Sequence, residues 1–274
     1  METRLALIGY GEAARAFAPG LSATLSHFDV LAERTQAGSV AEALAGAQAA
    51  LSLVTADQAL SAATAAAAHL ASGAFWFDMN SVAPDTKRAA AHAIEAAGGR
   101  YVDVAVMAPV HPAQTGVPLL VSGPHAEEGA AFLRAIGFTK VRVVPGDVGR
   151  ASSIKMIRSV MVKGIEALTA ECVLAADRAG VLDEVLSSLD ASPAPAEWAV
   201  RADYNLERMI EHGLRRAAEM EEVVKTLDAL GTGSAMTRGT VVRQRVIGEL
   251  KLRAPETLAE KLRLLKPTDK AEAA

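Results

Sequence analysis

The segment LALIGYGEAARAF, residues 5–17, decides the fold of this chain. Its apolar first half predicts a β-strand, and its alanine-rich second half predicts a helix. Between them stands the spacing G-x-G-x-x-A, in which small residues let the backbone approach a pyrophosphate while the start of the helix supplies N–H donors. The segment therefore predicts a dinucleotide site. Its predicted cofactor-binding residues are Gly9, Gly11, Glu12, Ala13 and Ala14.

The alternation of strand and helix continues to about residue 146, which is typical of a parallel sheet with crossover helices. We take the run FDVLAE, residues 28–33, as the second strand. Later apolar runs are bounded by Gly, Pro, Asn or Asp, and they predict strands over residues 75–79, 100–106, 119–123 and 141–144.

No β-type run follows Gly149, and residues 151–179 read as one long helix that Gly180 ends. Shorter helices are predicted over residues 182–190, 196–212, 214–230 and 235–252. The fold class is therefore an α/β Rossmann-type N-terminal domain followed by an all-α C-terminal domain, joined by a long helix. The predicted domains are a dinucleotide-binding domain at residues 1–147, a helical substrate and dimerisation domain at 148–266, and a flexible tail at 267–274.

Composition excludes several classes of protein. The 274 residues carry 28 Lys and Arg against 32 Asp and Glu, so no basic excess exists to bind nucleic acid. No uncharged apolar run reaches the roughly 20 residues of a membrane span, and charges near the N-terminus speak against a signal peptide. One cysteine, Cys172, and dispersed histidines predict neither a disulfide nor a metal site. We expect a cytoplasmic protein that binds a small molecule.

The choice between NAD and NADP depends on Glu33 and Arg34. Glu33 ends the predicted second strand, where a carboxylate accepts hydrogen bonds from the adenosine ribose and repels a 2′-phosphate. Arg34 follows at once, and an arginine in this turn would bind that phosphate. The strand-end position of the acid favours NAD, and NADP stays open.

On the long helix, Ser152, Lys155, Ser159 and Lys163 form a polar stripe among apolar neighbours. Apolar surroundings favour the neutral amine of a lysine, which can exchange a proton with a substrate hydroxyl. The alternative is a lysine whose stem packs against the protein while its ammonium group reaches water. Spacing alone does not decide between these two interpretations.

Several motifs now stand in a specific order: GYGEAA at 9–14, VT at 54–55, DMNSVAP at 78–84, VDVAVMAP at 102–109 and GRASSIK at 149–155. In this order and spacing the chain resembles the β-hydroxyacid dehydrogenase superfamily, which includes 3-hydroxyisobutyrate dehydrogenases and the cofactor domain of 6-phosphogluconate dehydrogenases. The C-terminal half resembles the subfamily with an uncharacterised helical domain.

The resemblance implies roles for individual residues. Lys155 matches the lysine that handles the hydroxyl proton while a hydride passes to or from the nicotinamide. Asn80 and Ser81 match a polar pair near the nicotinamide, although a helix N-cap is a second interpretation of them. Val54 and Thr55 match residues that line the adenosine or ribose side, although an ordinary strand end is an equal alternative. The resemblance also implies a homodimer formed through the helical domain.

Two departures from the superfamily pattern, and one histidine that follows the first of them, concern the substrate. Met107, Ala108 and Pro109 replace a Ser-Gly-Gly turn that binds a small carboxylate, and Pro109 has no N–H to donate. Ser159 stands where an Asn is expected, and we keep it as a catalytic candidate beside Lys155. His111, between two prolines, is a candidate proton donor or anion ligand, or else an ordinary loop residue. The predicted substrate-binding residues are Met107, Ala108, Pro109 and His111.

These patterns predict an NAD(P)-dependent oxidoreductase that transfers a hydride between nicotinamide and a hydroxy acid or a related alcohol or carbonyl compound. Lys155 would act as the general acid and base. Two alternatives stay open: an imine reductase of the same superfamily, which the altered turn favours, and a non-catalytic NAD(P)-binding sensor or partner. The sequence does not name the substrate or the pathway.

Overall fold

The computed structural model describes residues 3–191 and 197–265, which fall into two compact units, Met1–Met161 and Val162–Ala274. The predicted tail at 267–274 lies outside the described residues. The predicted domain boundary after residue 147 stays a prediction, since the division into units falls inside a continuous helix.

The N-terminal unit is built on one seven-stranded sheet. Its strands are β1 (Arg4–Ile8), β2 (Thr24–Phe28), β3 (Ala49–Ser52), β4 (Phe75–Asp78), β5 (Arg100–Val106), β6 (Leu119–Ser122) and β7 (Val141–Val143), in the spatial order β2-β1-β3-β4-β5-β6-β7. The four later strands confirm the predicted runs. The prediction of a parallel sheet is wrong at one place, because β5 and β6 are antiparallel. Their connection holds only a short 3-10 turn, Gln114–Gly116, instead of the helix that a parallel crossover needs.

Alanine-rich helices cover both faces of this sheet. They are α1 (Glu12–Phe17), α2 (Val40–Leu44), α3 (Ala59–Ala67), α4 (Pro84–Ala96) and α5 (Ala126–Ala135). Successive residues of a strand point to opposite faces, so Leu5 and Leu7 pack with α1 and α5 while Ala6 and Ile8 pack with α2, α3 and α4. This is the predicted Rossmann-type α/β architecture.

The prediction that the second strand spans residues 28–33 is wrong, because β2 ends at Phe28. The carboxylate of the next residue, Asp29, turns the chain: its Oδ1 accepts a hydrogen bond from the Leu31 N–H (2.9 Å) and its Oδ2 accepts one from the Tyr10 N–H (2.7 Å). Val30 is 88% exposed. Of the run FDVL, only Phe28 belongs to the strand, and residues 29–31 belong to the surface turn that follows it.

The C-terminal unit is helical. The predicted long helix is confirmed as α6 (Arg150–Ala179), which starts in the N-terminal unit, and Gly180 follows it in the left-handed region (φ +73°). The other helices are α7 (Leu182–Asp190), α8 (Trp198–Leu230), α9 (Ala235–Glu249) and α10 (Leu258–Leu264). Among the described residues, no helix combines the length and the apolar character that crossing a bilayer requires.

The predicted break at Gly213 is wrong, because α8 runs through this position without interruption. Gly213 instead marks the closest approach of two helices. A Cβ atom built on Gly213 would lie 2.4 Å from the Gln244 carbonyl oxygen and 2.9 Å from the Gly248 Cα. Both facing atoms belong to the backbone of α9, so neither can move aside like a side chain. The glycine serves helix packing rather than helix termination.

Gly213→Ala should therefore destabilise the C-terminal unit by about 1–3 kcal/mol, the usual cost of overpacking. Gly239→Ala in α9 is the matched control, since no atom lies within 4 Å of its Cβ position. Alanine is the better helix former by up to about 1 kcal/mol, so this control should be neutral or stabilising. Urea unfolding followed by circular dichroism measures both. Equal stability of the two variants would contradict the close helix crossing.

Candidate functional site

The glycine turn between β1 and α1 has two different glycines. Gly9 has φ +88°, and a Cβ there would lie 2.7 Å from the Leu53 carbonyl oxygen and 2.9 Å from the Val54 nitrogen. The turn is thus pressed against the chain that leaves β3. Gly11 is the N-cap of α1, and no atom lies within 4 Å of its Cβ position. Gly11 keeps a space open, whereas Gly9 permits a close backbone contact.

Ala14, the third small residue of the motif, is fully buried in the core beneath α1. A larger side chain there would push the helix away from the sheet, so the motif's last position serves helix packing. Of the other two predicted residues of this turn, Glu12 is exposed and Ala13 is half-buried. Both line the cleft described below.

The acidic residue at the end of β2 is Asp29, not Glu33. Asp29 stands twenty positions after Gly9, and its carboxylate holds the amide of Tyr10 within the glycine turn. Glu33 and Arg34 lie in a separate 3-10 turn, where their charged groups are 4.0 Å apart; Glu33 is exposed and Arg34 is half-buried. Counting about 20 residues from the first glycine, rather than from the end of the motif, would have selected Asp29.

A cleft of about 420 Å³ opens at the carboxyl ends of β3, β4 and β5, next to the glycine turn. Ligands of open α/β sheets bind at this edge. Eight predicted site residues line it: Glu12, Ala13, Val54, Asn80, Ser81, Ala108, Pro109 and Lys155. Five further lining residues were not predicted, all of them apolar: Leu53, Ala56, Met79, Val106 and Val110.

Lys155 reaches this cleft from the first turns of α6. Its Nζ donates a hydrogen bond to the Ser81 Oγ at 2.5 Å, and the side chain is half-buried. The neighbouring Ile154 packs against Ala105 and Leu120 of the sheet, which fixes the start of the helix. Two residues that are 74 positions apart in the sequence thus meet at one wall of the cleft.

Nine predicted site residues do not line the cleft. Five of them are described above, namely Gly9, Gly11, Ala14, Glu33 and Arg34, and the other four are Thr55, Met107, His111 and Ser159. Thr55 precedes a 3-10 turn, and Met107 packs into the small core beneath the start of α6. His111 is exposed on the loop after β5. The Ser159 hydroxyl donates to the Lys155 carbonyl oxygen, one helical turn earlier, at 2.9 Å. The functional roles of these four residues remain predictions.

A buried charge cluster lies beneath the cleft, and the sequence analysis missed it. Lys87, Asp78 and Asp103 all have fully buried side chains. The Lys87 Nζ is 2.9 Å from the Asp78 Oδ1 and 3.5 Å from the Asp103 Oδ1. A signal was present: Lys87 shares the apolar face of α4 with buried residues three, four and seven positions later, Ala90, Ala91 and Ile94.

Asp78 accepts hydrogen bonds from four donors. Its Oδ1 accepts from Lys87, from the Asn80 N–H (3.0 Å) and from the Asn80 Nδ2 (2.8 Å). Its Oδ2 accepts from the Tyr101 hydroxyl at 2.8 Å. Burial, together with the nearby Asp78 charge, raises the pKa of the Tyr101 phenol, so this hydroxyl stays protonated and can only be the donor.

Asn80 is the link between this cluster and the cleft. Its Nδ2 also donates to the Ser52 Oγ at 2.9 Å, so both amide hydrogens are used. Its Oδ1 is buried and has no hydrogen-bond partner among the described residues. Since Asn80 lines the cleft, a bound molecule with a donor group can satisfy this oxygen. The open space at Gly11, the acid at the end of β2 and this oxygen together fit a dinucleotide.

Two family models match the chain. The NAD binding domain of 6-phosphogluconate dehydrogenase matches residues 21–143, and a domain of unknown function, DUF1932, matches residues 176–247. The first match covers six of the seven strands, from β2 to β7. The N-terminal unit is therefore an NAD-binding domain, and the prediction of NAD or NADP as the cofactor is confirmed.

Solved structures and one curated relative extend the comparison. A conserved hypothetical protein from Sinorhizobium meliloti 1021 is 36% identical, with 96% of both chains covered and a TM-score of 0.59. The conserved protein MTH1747, of unknown function and described as similar to 3-hydroxyacid dehydrogenases, is 27% identical over 92% of this chain and 100% of its own, with a TM-score of 0.57. An imine reductase from Myxococcus stipitatus in complex with NADP+ shares the fold, with a TM-score of 0.75 at 17% identity and coverage of 96% and 100%.

The curated relative is an uncharacterized 28.5 kDa protein in the 7S RNA 5′ region of Methanothermus fervidus. It is 28% identical over 153 residues, and the match spans 55% of this chain and 57% of that protein. The chain belongs to the β-hydroxyacid dehydrogenase superfamily, and within it to the family of the Sinorhizobium meliloti protein.

Proposed function

We propose that this protein is an NAD(P)-dependent oxidoreductase that interconverts a hydroxy acid, or a related alcohol, with its carbonyl compound. One observation carries the proposal: the Lys155 Nζ lies in the cleft at the carboxyl ends of the strands, hydrogen-bonded to Ser81. A lysine amine at this place can exchange a proton with a substrate oxygen. The coarser assignment, a dehydrogenase or reductase fold, follows from the family.

Each residue of the cleft has a separate task in this proposal. The bound nicotinamide supplies hydride acceptance or donation. Lys155 takes the hydroxyl proton during oxidation and returns it during reduction, while the Ser81 hydroxyl holds the amine in place. Val106 and Val110 give this part of the cleft an apolar wall. Asn80 accepts a hydrogen bond from the bound ligand, and Gly11 leaves room for the phosphates.

A substrate panel tests the proposal. Purified protein is incubated with hydroxy acids of increasing size, alcohols and carbonyl compounds, with NAD(H) and NADP(H) in parallel, and absorbance at the reduced-cofactor band is followed. Turnover on any of these classes supports the proposal. Cofactor binding without turnover on the whole panel would instead favour the non-catalytic sensor.

NAD is the preferred cofactor in this proposal because Asp29, at the end of β2, puts a carboxylate where an adenosine 2′-phosphate would lie. Asp29→Asn removes the charge and keeps one side-chain oxygen, which can accept from the Tyr10 amide or from the Leu31 amide but not from both. The ratio of the NADPH to the NADH dissociation constant should fall about tenfold, the equivalent of 1.4 kcal/mol of lost repulsion. Fluorescence titration with both cofactors measures it.

Glu33→Gln is the matched control for this prediction, because Glu33 is an exposed acid four residues further along. Its ratio of dissociation constants should stay at the wild-type value. The opposite pattern, a change for Glu33→Gln and none for Asp29→Asn, would return the ribose-binding role to Glu33.

Imine reduction is the second candidate function. Ala108 and Pro109, two of the three residues that replace the carboxylate-binding turn, line the cleft, and Pro109 offers no N–H. Imines lack the carboxylate that such a turn would bind, and imine reductases share the fold. Reduction of cyclic imines, measured beside hydroxy-acid oxidation with the same cofactor, separates the two candidates by their kcat/KM values.

We also propose that the protein is a homodimer formed through its helical unit. Large apolar side chains there are strongly exposed, among them Leu174 (58%), Leu189 (57%) and Val242 (59%). Exposed apolar surface of this kind marks association surfaces. Sedimentation analysis at micromolar concentration should give twice the chain mass of 28.5 kDa. A monomer at that concentration would contradict the proposal.

A further inference from the structure

We propose that Lys87 is a positioning residue of the cleft: its buried ammonium group fixes the orientation of the Asn80 amide, so that Asn80 presents only an acceptor to the bound ligand. The ligand group that faces Asn80 must then be a hydrogen-bond donor, such as a hydroxyl or an amide. This inference rests on the proposed function, because it assumes that the cleft binds a dinucleotide and its substrate.

The first step concerns charge. Two carboxylates, Asp78 and Asp103, lie in adjacent strands, with fully buried side chains. Lys87 is the cation between them, and it also donates to the Asp78 carbonyl oxygen at 2.5 Å. A buried charge without compensation changes its protonation state or draws in water. Lys87 provides this compensation, and by donating to the Asp78 Oδ1 it makes that oxygen an acceptor in the cluster.

The second step concerns the amide. The Asn80 group that faces the Asp78 Oδ1 is only 2.8 Å away. If the amide were turned over, two acceptor oxygens would face each other at this distance. The Asp78 Oδ1, which already accepts from Lys87 and from the Asn80 N–H, therefore admits only the orientation with Nδ2 inward. The outward group is Oδ1, which is the buried oxygen without a partner.

The third step concerns the helix that carries Lys155. The Asp103 Oδ2 accepts from the Gly149 N–H (3.0 Å), the Ser152 N–H (3.1 Å) and the Ser152 hydroxyl (3.2 Å), at the start of α6. Its Oδ1 faces Lys87 at 3.5 Å and has no hydrogen-bond partner among the residues that the structure describes. Lys87 thus contacts both carboxylates: Asp78, which orients Asn80, and Asp103, which holds the start of α6. Helix α6 carries Lys155.

The consequence is a rule for ligand chemistry. A carboxylate or phosphate oxygen cannot donate a hydrogen bond, so neither is accommodated beside the Asn80 Oδ1. Hydroxyls of a ribose or of a substrate, and the carboxamide of a nicotinamide, can donate. The experiment therefore measures cofactor affinity directly and needs no substrate.

The test compares NADH dissociation constants, by fluorescence titration, in the wild type, Lys87→Met and the double variant Asp78→Asn with Lys87→Met. Methionine replaces the stem of the lysine without its charge. The double variant removes the charges of Lys87 and Asp78 together, so it should recover most of the melting temperature that Lys87→Met loses. An amide at position 78 can face Asn80 with either its oxygen or its nitrogen, so the orientation of Asn80 is no longer fixed.

Leu133→Ala is the control for a merely structural effect, since Leu133 is a fully buried residue of α5 outside the cleft. It should lower the melting temperature and change the NADH dissociation constant less than twofold. We expect Lys87→Met to raise that constant at least tenfold, and the double variant to keep most of this loss despite its recovered stability. If Lys87→Met does not fold, the double variant decides alone.

Two results would overturn the inference: an affinity loss in Lys87→Met no larger than in Leu133→Ala, or a double variant that regains wild-type affinity together with stability. Failure of the proposed function is distinguishable from both, because the wild type would then bind neither NADH nor NADPH. Wild-type binding that is retained in the Lys87 variants contradicts only the positioning role.

Discussion

Lys155→Ala should lower kcat by about 10²–10⁴-fold, the usual contribution of a positioned general acid or base. The reason is its position: the Nζ lies in the cleft at the carboxyl ends of β3, β4 and β5, where it donates a hydrogen bond to the Ser81 hydroxyl. Removal of the amine leaves the substrate hydroxyl without a proton acceptor. The glycine turn and Asn80 are untouched, so the NADH dissociation constant should change less than about twofold, which is under about 0.4 kcal/mol.

The variant Lys155→Arg tests the proton-transfer role of Lys155 separately from its positive charge. A guanidinium can still donate to Ser81, but it does not lose its proton in proteins. It should therefore be nearly as inactive as the alanine variant, which separates proton transfer from charge. Lys140→Ala, at an exposed lysine of the N-terminal unit, is the control and should keep wild-type kcat. Activity of Lys155→Ala within a few-fold of wild type would remove Lys155 from the mechanism.

The second large effect is expected at the glycine turn, where Gly9→Ala and Gly11→Ala should fail in different ways. At Gly9 a methyl group meets the backbone of residues 53 and 54, and φ is +88°. A left-handed conformation costs about 1–2 kcal/mol for other residues, and overpacking costs about 1–3 kcal/mol. Gly9→Ala should thus lose about 2–5 kcal/mol of unfolding free energy, and cofactor binding with it.

Gly11→Ala should fold normally, because its Cβ position is empty and its φ is −81°. Its methyl group would instead occupy the space where the pyrophosphate approaches the turn, so the NADH dissociation constant should rise at least about tenfold. Gly73→Ala isolates the conformational cost, since this glycine has φ +74° and no atom within 4 Å of its Cβ position.

Chemical unfolding and NADH titration of the three variants measure these effects. The expected order of destabilisation is Gly9→Ala, then Gly73→Ala, then Gly11→Ala. A Gly11→Ala variant that binds NADH like the wild type would show that the cofactor phosphates do not use this turn. A Gly9→Ala variant as stable as Gly73→Ala would contradict the close contact between Gly9 and the backbone of residues 53 and 54.

The sequence predicted the strands and helices well where local signals are strong. The motif at residues 9–14, the buried runs from β4 to β7 and the 30-residue helix α6 all lie where their composition placed them. It failed where a contact across the chain overrides a local pattern. FDVL has the composition of a strand, but Asp29 bonds to the amide of Tyr10, and the strand ends there. Glycine is typical of a helix end, but Gly213 lies inside α8, where the absence of a side chain lets α9 approach closely.

What the sequence determined by itself is the fold class, the dinucleotide motif and the lysine of the cleft. The first two follow from spacing, because turn geometry and periodic apolar residues act over a few positions, whereas the lysine follows from the resemblance of its motif to the superfamily. Only the tertiary structure decided which acid stands at the end of β2 and how Lys87, Asp78 and Asp103 are paired. Those choices depend on hydrogen bonds between residues that are 9 to 49 positions apart, where burial removes the water that would otherwise compete for each polar group.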